Sequence, residues 1–402
     1  MLEKFTLNTP HSDIELGLPR APIDYFVTTP QKGVTKKTGL VLFIPGFGML
    51  ADSSYVVDKF APYIADKYNC LVVSVNYFGI HNRPETGAYY RLADDFFDVL
   101  KRVYNLETSI TIPNIPLTQE YLPQLQNFAY GTLTELSKVL SVNWIDPQCQ
   151  VLLRYGKDEY ESFGFLPALD YLQVTGEILK TYQIDTQRMI ILGSSYGGYI
   201  ANLIGKFAPN TFSTIIDNSG FVKANIRHVT SQESLIKTGA YGSFISLNCY
   251  VAHDSLWTLI NENSSHYFSD DHRAIRSLFH TSHFQKTTTQ YHIFHSVQDT
   301  LTATIAEKDK QVALLKKYAE VFYHRIEPQH IDGKVFKTMG HGMNASLRGL
   351  FDIVAKESRR KLFKPEYDND FTLNKTHCFE CVGRSYDFSF KDDYSLEVKI
   401  TS

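Results

Sequence analysis

The amino-acid sequence predicts an α/β fold, a mostly parallel sheet covered by helices on both faces. Three observations carry that expectation. The apolar runs Gly39–Ile44, Cys70–Asn76 and Met189–Leu192 are continuous rather than alternating, which suits strands buried on both sides. Segments with helical spacing separate these runs, and Gly- or Pro-rich turns end two of them. The composition, 43% hydrophobic and 21% charged over 402 residues, is that of a folded globular protein and excludes global disorder.

Residues 1 to 30 hold short segments, Ile14–Leu18 and Tyr25–Thr28, between Pro10, Pro19 and Pro22, and read as leading strands or a hairpin. Gly39–Ile44 stops at Pro45-Gly46-Phe47-Gly48, and a helix from about Ser54 to Lys67 precedes the strand at Cys70. Between Gly79 and about Asp158 the spacing turns helical, in Tyr90–Tyr104 and Leu133–Leu140, around a polar stretch, so a first insertion is expected here. A helix at Leu166–Thr181 leads to the strand Met189–Leu192; Gly193–Tyr199 opens a further helix, Ile200–Phe207, and the strand Thr214–Ile216 follows. Residues 220 to 287 are aromatic-rich and irregular, a second insertion in which Asp270 or Asp271 caps a short helix. The strands Tyr291–His295 and Val321–His324, a loop holding Gly340-His341-Gly342 and a helix, Ala345–Arg359, close the core. The tail alternates at period two in Tyr386–Phe390 and Leu396–Ile400 and reads as a hairpin. The expected organisation is a core of 1–79, 158–219 and 288–362, a helical insertion at 80–157, a lid or cap at 220–287 and a C-terminal hairpin extension at 363–402.

Lys and Arg number 40 against 43 Asp and Glu, a net charge of -3, which excludes a purely electrostatic binder of nucleic acid or acidic membrane. Five cysteines, odd in number and mostly far apart, fit a reducing compartment, so the expected location is cytoplasmic. No targeting segment or membrane span is legible, and the sequence does not set the oligomeric state. Cys378 and Cys381 form a Cys-x-x-Cys without a second cysteine pair, so no metal is expected there.

Chemistry concentrates at Gly193-Ser194-Ser195-Tyr196-Gly197, a Gly-x-Ser-x-Gly pattern between an apolar strand and a helix. The glycines suit a strained turn that lifts the Ser195 hydroxyl above the sheet. A serine hydroxyl is a weak nucleophile, so a base and a carboxylate that orients it are required. Of 14 histidines, His341 is the candidate base, in a flexible loop between the last strand and the closing helix; His292 and His324 lie inside apolar strands and read as packed residues. Asp299, just beyond the strand at Tyr291–His295, is the candidate acid, with Asp217 its rival. Acyl chemistry also needs donors for a developing oxyanion. The backbone N–H groups of Tyr196 and Phe47 are the candidates, with Gly46 and Gly48 permitting the loop turn, the Phe47 ring a wall, and Asn218 and Ser219 lining the pocket floor.

These motifs, in the chain order Ser, Asp, His, resemble those of α/β-hydrolases over most of residues 36 to 362. The resemblance implies an eight-stranded, mostly parallel sheet and a Ser195, Asp299, His341 triad that cleaves esters, amides or thioesters through an acyl-enzyme, without a cofactor. Pro45-Gly46 replaces the commoner His-Gly of the oxyanion loop. The whole chain also resembles a bacterial α/β-hydrolase-like family of unknown function, some of whose members are linked to flagellar glycan loci. The expected activity is cleavage of a carboxylic ester of a small metabolite, such as an acylated sugar, by a serine hydrolase. Three alternatives stay open: a peptidase, since Gly-x-Ser-Tyr-Gly-Gly is similar to the elbow of prolyl-oligopeptidase-like enzymes; an acyltransferase; and a hydrolase fold reused as a binding module.

Overall fold

Eight strands form the central sheet: β1 (Leu2–Leu7), β2 (Ile23–Thr28), β3 (Gly39–Ile44), β4 (Cys70–Val75), β5 (Met189–Ser194), β6 (Thr214–Asn218), β7 (Gln290–Ser296) and β8 (Glu320–Ile326). Their spatial order is β1-β2-β4-β3-β5-β6-β7-β8, and every pairing from β4 to β8 is parallel, while β2 runs against both its neighbours. The computed structural model describes residues 1–92, 148–231, 236–241, 246–357 and 369–401. They divide into two compact units, one of Met1–Phe78, Ser162–Ala224 and Ser269–Ser402, the other of Gly79–Glu161 and Asn225–Phe268.

The first unit is built on the continuous apolar runs. All six residues of β3 and of β4 are buried, as strands covered on both faces require. One face, with Val41, Phe43, Val72, Ile190 and Leu192, packs on Phe60 and Ile64 of the helical stretch that ends in α1 (Ala61–Tyr68), and on Leu350, Phe351 and Val354 of α6 (Leu347–Glu357). The other face takes α2 (Phe165–Thr181) and α3 (Tyr196–Phe207): the Tyr171 hydroxyl donates to the Phe43 carbonyl at 2.7 Å, and Gly205 lies against Ile215. Two further helices, α4 (Asp270–Arg276) and α5 (Ile305–Leu315), belong to the same unit.

Three expectations change in this unit. Ile14–Leu18 is a turn, not a strand, because Asp13 Oδ1 accepts the N–H groups of Glu15 and Leu16; β1 is the leading strand instead. Helix α4 starts on Ser269, whose N–H is accepted by His272 Nδ1 at 2.9 Å, while Asp271 accepts the N–H groups of Gly383 and Arg384. The C-terminal hairpin gains a third strand, giving an antiparallel sheet of β9 (Thr376–Glu380), β10 (Ser385–Phe390) and β11 (Leu396–Thr401). Its alternation places Phe379 and Phe388 inward, and Phe388 stacks on Phe207 of α3 at 4.5 Å.

The second unit contains a four-stranded sheet in the order Tyr89–Leu92, Gln148–Arg154, Ser246–His253, Ile236–Tyr241. Each insertion contributes two strands, and the inner pair is parallel. Tyr90–Leu92, the start of the first segment read as helical, is therefore strand; the rest of that segment and Leu133–Leu140 lie outside the described residues.

Candidate active site

The turn after β5 is set by steric necessity. Ser195 joins β5 directly to α3 with φ 56° and ψ −121°, a conformation that costs on the order of 1–3 kcal/mol and persists only where its surroundings enforce it. A Cβ on Gly193 would stand 2.0 Å from the Gly197 carbonyl oxygen, and one on Gly197 would stand 2.0 Å from that of Ile44. Only glycine lets strand, turn and helix close this tightly. Asn218, the last residue of β6, completes the turn: its carbonyl accepts the Ser195 N–H at 2.7 Å, and its side-chain amide donates to Ser194 Oγ at 3.0 Å.

His341 lies in the loop between β8 and α6. Ser296, at the end of β7, donates its hydroxyl to the Met339 carbonyl at 2.6 Å, and the Met343 carbonyl accepts the N–H groups of Lys337 and Thr338. The Met343 side chain is fully buried, which anchors a left-handed run at Gly342, Met343 and Asn344 with φ 66°, 56° and 40°.

Three distant side chains meet here. His341 Nε2 is 2.8 Å from Ser195 Oγ, and His341 Nδ1 is 2.8 Å from Asp299 Oδ2. An ionised carboxylate can only accept, so the imidazole proton sits on Nδ1 and Nε2 is left to accept from the Ser195 hydroxyl. Asp299 is buried, which by itself raises its pKa; the hydrogen bond and charge of His341 and the Leu301 N–H outweigh burial and hold the carboxyl below its ordinary value. Asp217 has other partners: Lys308 Nζ at 2.8 Å, the Asn202 amide at 2.9 Å and the Gly220 N–H at 2.7 Å.

The loop after β3 lies against the turn. A Cβ on Gly46 would come within 3.1 Å of Ser195 Cβ. The Phe47 ring stacks on the Tyr196 ring at 4.0 Å and 11°, so the two residues named as oxyanion donors face one another, and Gly48 follows with φ 80°. A cavity of about 540 Å³ opens in front of Ser195 and His341, lined also by Gly46, Phe47 and Asn218. Gly48 and Ser219 are not among its lining residues; Ser219 is fully buried and its carbonyl accepts the Thr302 hydroxyl. Met49, Tyr55, Lys337, Leu347 and Arg348 also line the cavity, together with Phe43, Ser194, Gly342 and residues 344–346. Sequence reasoning named none of these as lining residues. For Leu347 and Arg348 the signal available was position alone: α6 begins six residues after His341, so its first turn reaches the same cavity.

The strand order, the Ser195 turn after β5 and the carboxylate and histidine that follow β7 and β8 define an α/β-hydrolase fold. Within that class the chain belongs to the family described as "Protein of unknown function (DUF2920)", which matches residues 5–400. Comparison with curated proteins finds no match. Solved structures similar to the chain include an acylaminoacyl peptidase of Pyrococcus horikoshii, at 13% identity and TM-score 0.44, covering 91% of this chain and 43% of the peptidase. The chain thus spans less than half the length of that enzyme. Est1E of Butyrivibrio proteoclasticus, solved with ferulic acid bound, is similar at 12% identity and TM-score 0.43, covering 85% and 96% of the two chains. An arylesterase is similar at 10% identity and TM-score 0.42, covering 90% and 83%. Among the described residues, no helix is long and apolar enough to cross a membrane.

Proposed function

We propose that the protein is a cytoplasmic serine hydrolase that cleaves a carboxylic ester of a small metabolite through an acyl-enzyme, with Ser195, His341 and Asp299 as its triad. One observation carries this reading: a single imidazole touches, at 2.8 Å on each side, a serine held in a strained turn and a buried carboxylate. As Ser195 Oγ attacks the ester carbonyl, Nε2 takes its proton and Asp299 holds the resulting imidazolium. The oxygen that gains negative charge is received by the Phe47 and Tyr196 backbone N–H groups; one such donor is worth about 3 kcal/mol of barrier. The imidazolium then protonates the departing alkoxide. Water, deprotonated by the same nitrogen, releases the acid and restores the serine. The volume of about 540 Å³ falls in the range of small-molecule sites, and the free thiols of Cys70, Cys378 and Cys381 fit a reducing compartment.

A fluorophosphonate probe tests the nucleophile. Wild-type protein is expected to label stoichiometrically and Ser195→Ala not at all; equal labelling of both, or of neither, removes the catalytic reading. On a panel of p-nitrophenyl esters and aminoacyl amides, esters are expected to turn over faster, and faster turnover of the amides would make the protein a peptidase.

A further inference from the structure

The far strands of the central sheet carry a second cluster, separate from the serine. His292 on β7 and His324 on β8 converge on Glu357, in the last turn of α6: His292 Nδ1 is 3.4 Å from Glu357 Oε2, and His324 Nε2 is 3.3 Å from the same oxygen. All three ligand atoms lie within 4.8 Å of one another. Aromatic neighbours fix both rings, His292 stacking on Phe322 at 4.5 Å and His324 on Phe294 at 4.0 Å, each pair within 6° of parallel.

These separations are longer than the 2.8 Å of the hydrogen-bonded pairs His341 with Asp299 and His377 with Asp370, and shorter than the 3.8 and 4.0 Å of His228 with Glu161 and His272 with Glu15. Two ligands bound at tetrahedral angles to a cation, each about 2.0–2.1 Å from it, stand roughly 3.3–3.4 Å apart. The contacts to Glu357 match that edge.

Among the described residues Glu357 forms no ion pair with lysine or arginine. A divalent cation between the two rings supplies the counter-charge that its carboxylate lacks.

We infer that His292, His324 and Glu357 bind a divalent metal ion, with a nitrogen and oxygen donor set suited to zinc and a fourth position left to water. The ion ties the end of α6, whose first turn lines the Ser195 cavity, to strands β7 and β8. It is a structural tie, independent of the hydrolase reading. The sequence concealed it because the three ligands come from separate elements and no local ligand spacing exists.

Zinc content and competition with a chromophoric chelator test the site on the full, untagged chain. Wild-type protein is expected to retain one zinc per chain after dialysis. The partly exposed ligands are the safer ones to change: Glu357→Gln and His324→Ala should each weaken zinc binding at least tenfold while circular dichroism stays native. His266→Ala, a surface control, should leave binding unchanged. Cobalt in place of zinc should give the intense visible bands of a tetrahedral site. No stoichiometric zinc in the wild type, or zinc binding unweakened in both ligand variants, overturns the assignment.

Discussion

Two buried carboxylates stand at the carboxyl ends of neighbouring strands, Asp217 on β6 and Asp299 just beyond β7, and their surroundings separate them. Asp217 is closed into a polar network: Lys308 bonds both Asp217 and Gln311, Gln311 donates to Asn202, and Asn202 returns to Asp217. All four side chains are buried. Asp299 has one backbone N–H, from Leu301, and the His341 ring, whose other nitrogen faces the cavity serine. The first carboxylate is neutralised by a fixed cation; the second faces a base that can gain a proton. A carboxylate already matched to a lysine has nothing left to give an imidazolium formed during a reaction. Burial and placement at a strand's carboxyl end are nearly the same for both acids, and the partner decides what each can do.

The largest expected effect tests Asp299. Asp299→Asn keeps the shape but can donate to Nδ1, which favours the wrong tautomer and leaves Nε2 protonated toward Ser195. kcat on a p-nitrophenyl ester should fall by about 10³–10⁴-fold, with a melting temperature close to wild type. A loss below tenfold would break the comparison and return the role of acid to Asp217.

Asp217→Asn should act on stability. It leaves the Lys308 ammonium, fully buried, without its counter-charge, and breaking a buried pair by removing one partner costs about 3–5 kcal/mol. Urea unfolding should show that loss, while kcat of the folded fraction stays within a few fold. Replacing both partners, Asp217→Asn with Lys308→Met, should recover much of the stability because no unpaired charge remains. A variant that stays folded but is inactive would mean that Asp217 serves the chemistry after all.

This contrast also marks what the sequence could convey. The central strands were legible because burial on both faces leaves continuous apolar runs, and the Ser195 turn because its glycines are sterically obligatory at Gly193 and Gly197. The preference for Asp299 over Asp217 rested on chain order alone; what sets the two apart in the structure is Lys308 of α5, a lysine that is fully buried. The strands of the second unit escaped for a related reason. Gln148–Arg154 pairs in parallel with Ser246–His253, so no hairpin turn joins the inner pair of that sheet. In β9 the buried positions are His377 and Phe379; His377 is compensated by Asp370 at 2.8 Å, so the apolar alternation that marks a half-buried strand is interrupted.

The comparison sharpens when the carboxylate is moved from protein to substrate. Neither Asp217 nor Asp299 lines the cavity, and among the described residues that do none is acidic, whereas Lys337 and Arg348 are cationic. A negative charge on the substrate therefore meets lysine and arginine without a competing carboxylate. Lys337→Gln and Arg348→Gln should each lower kcat/KM for a p-nitrophenyl hemisuccinate by a factor of about 2–5, the scale set by screening of exposed charges, and leave the uncharged butyrate ester unchanged. The loss should shrink as salt rises, because the Debye length falls from about 10 Å at 0.1 M to about 3 Å at 1 M. Equal losses on both esters would assign the two residues to shaping the wall instead, since a packing defect does not distinguish a charged acyl chain from a neutral one.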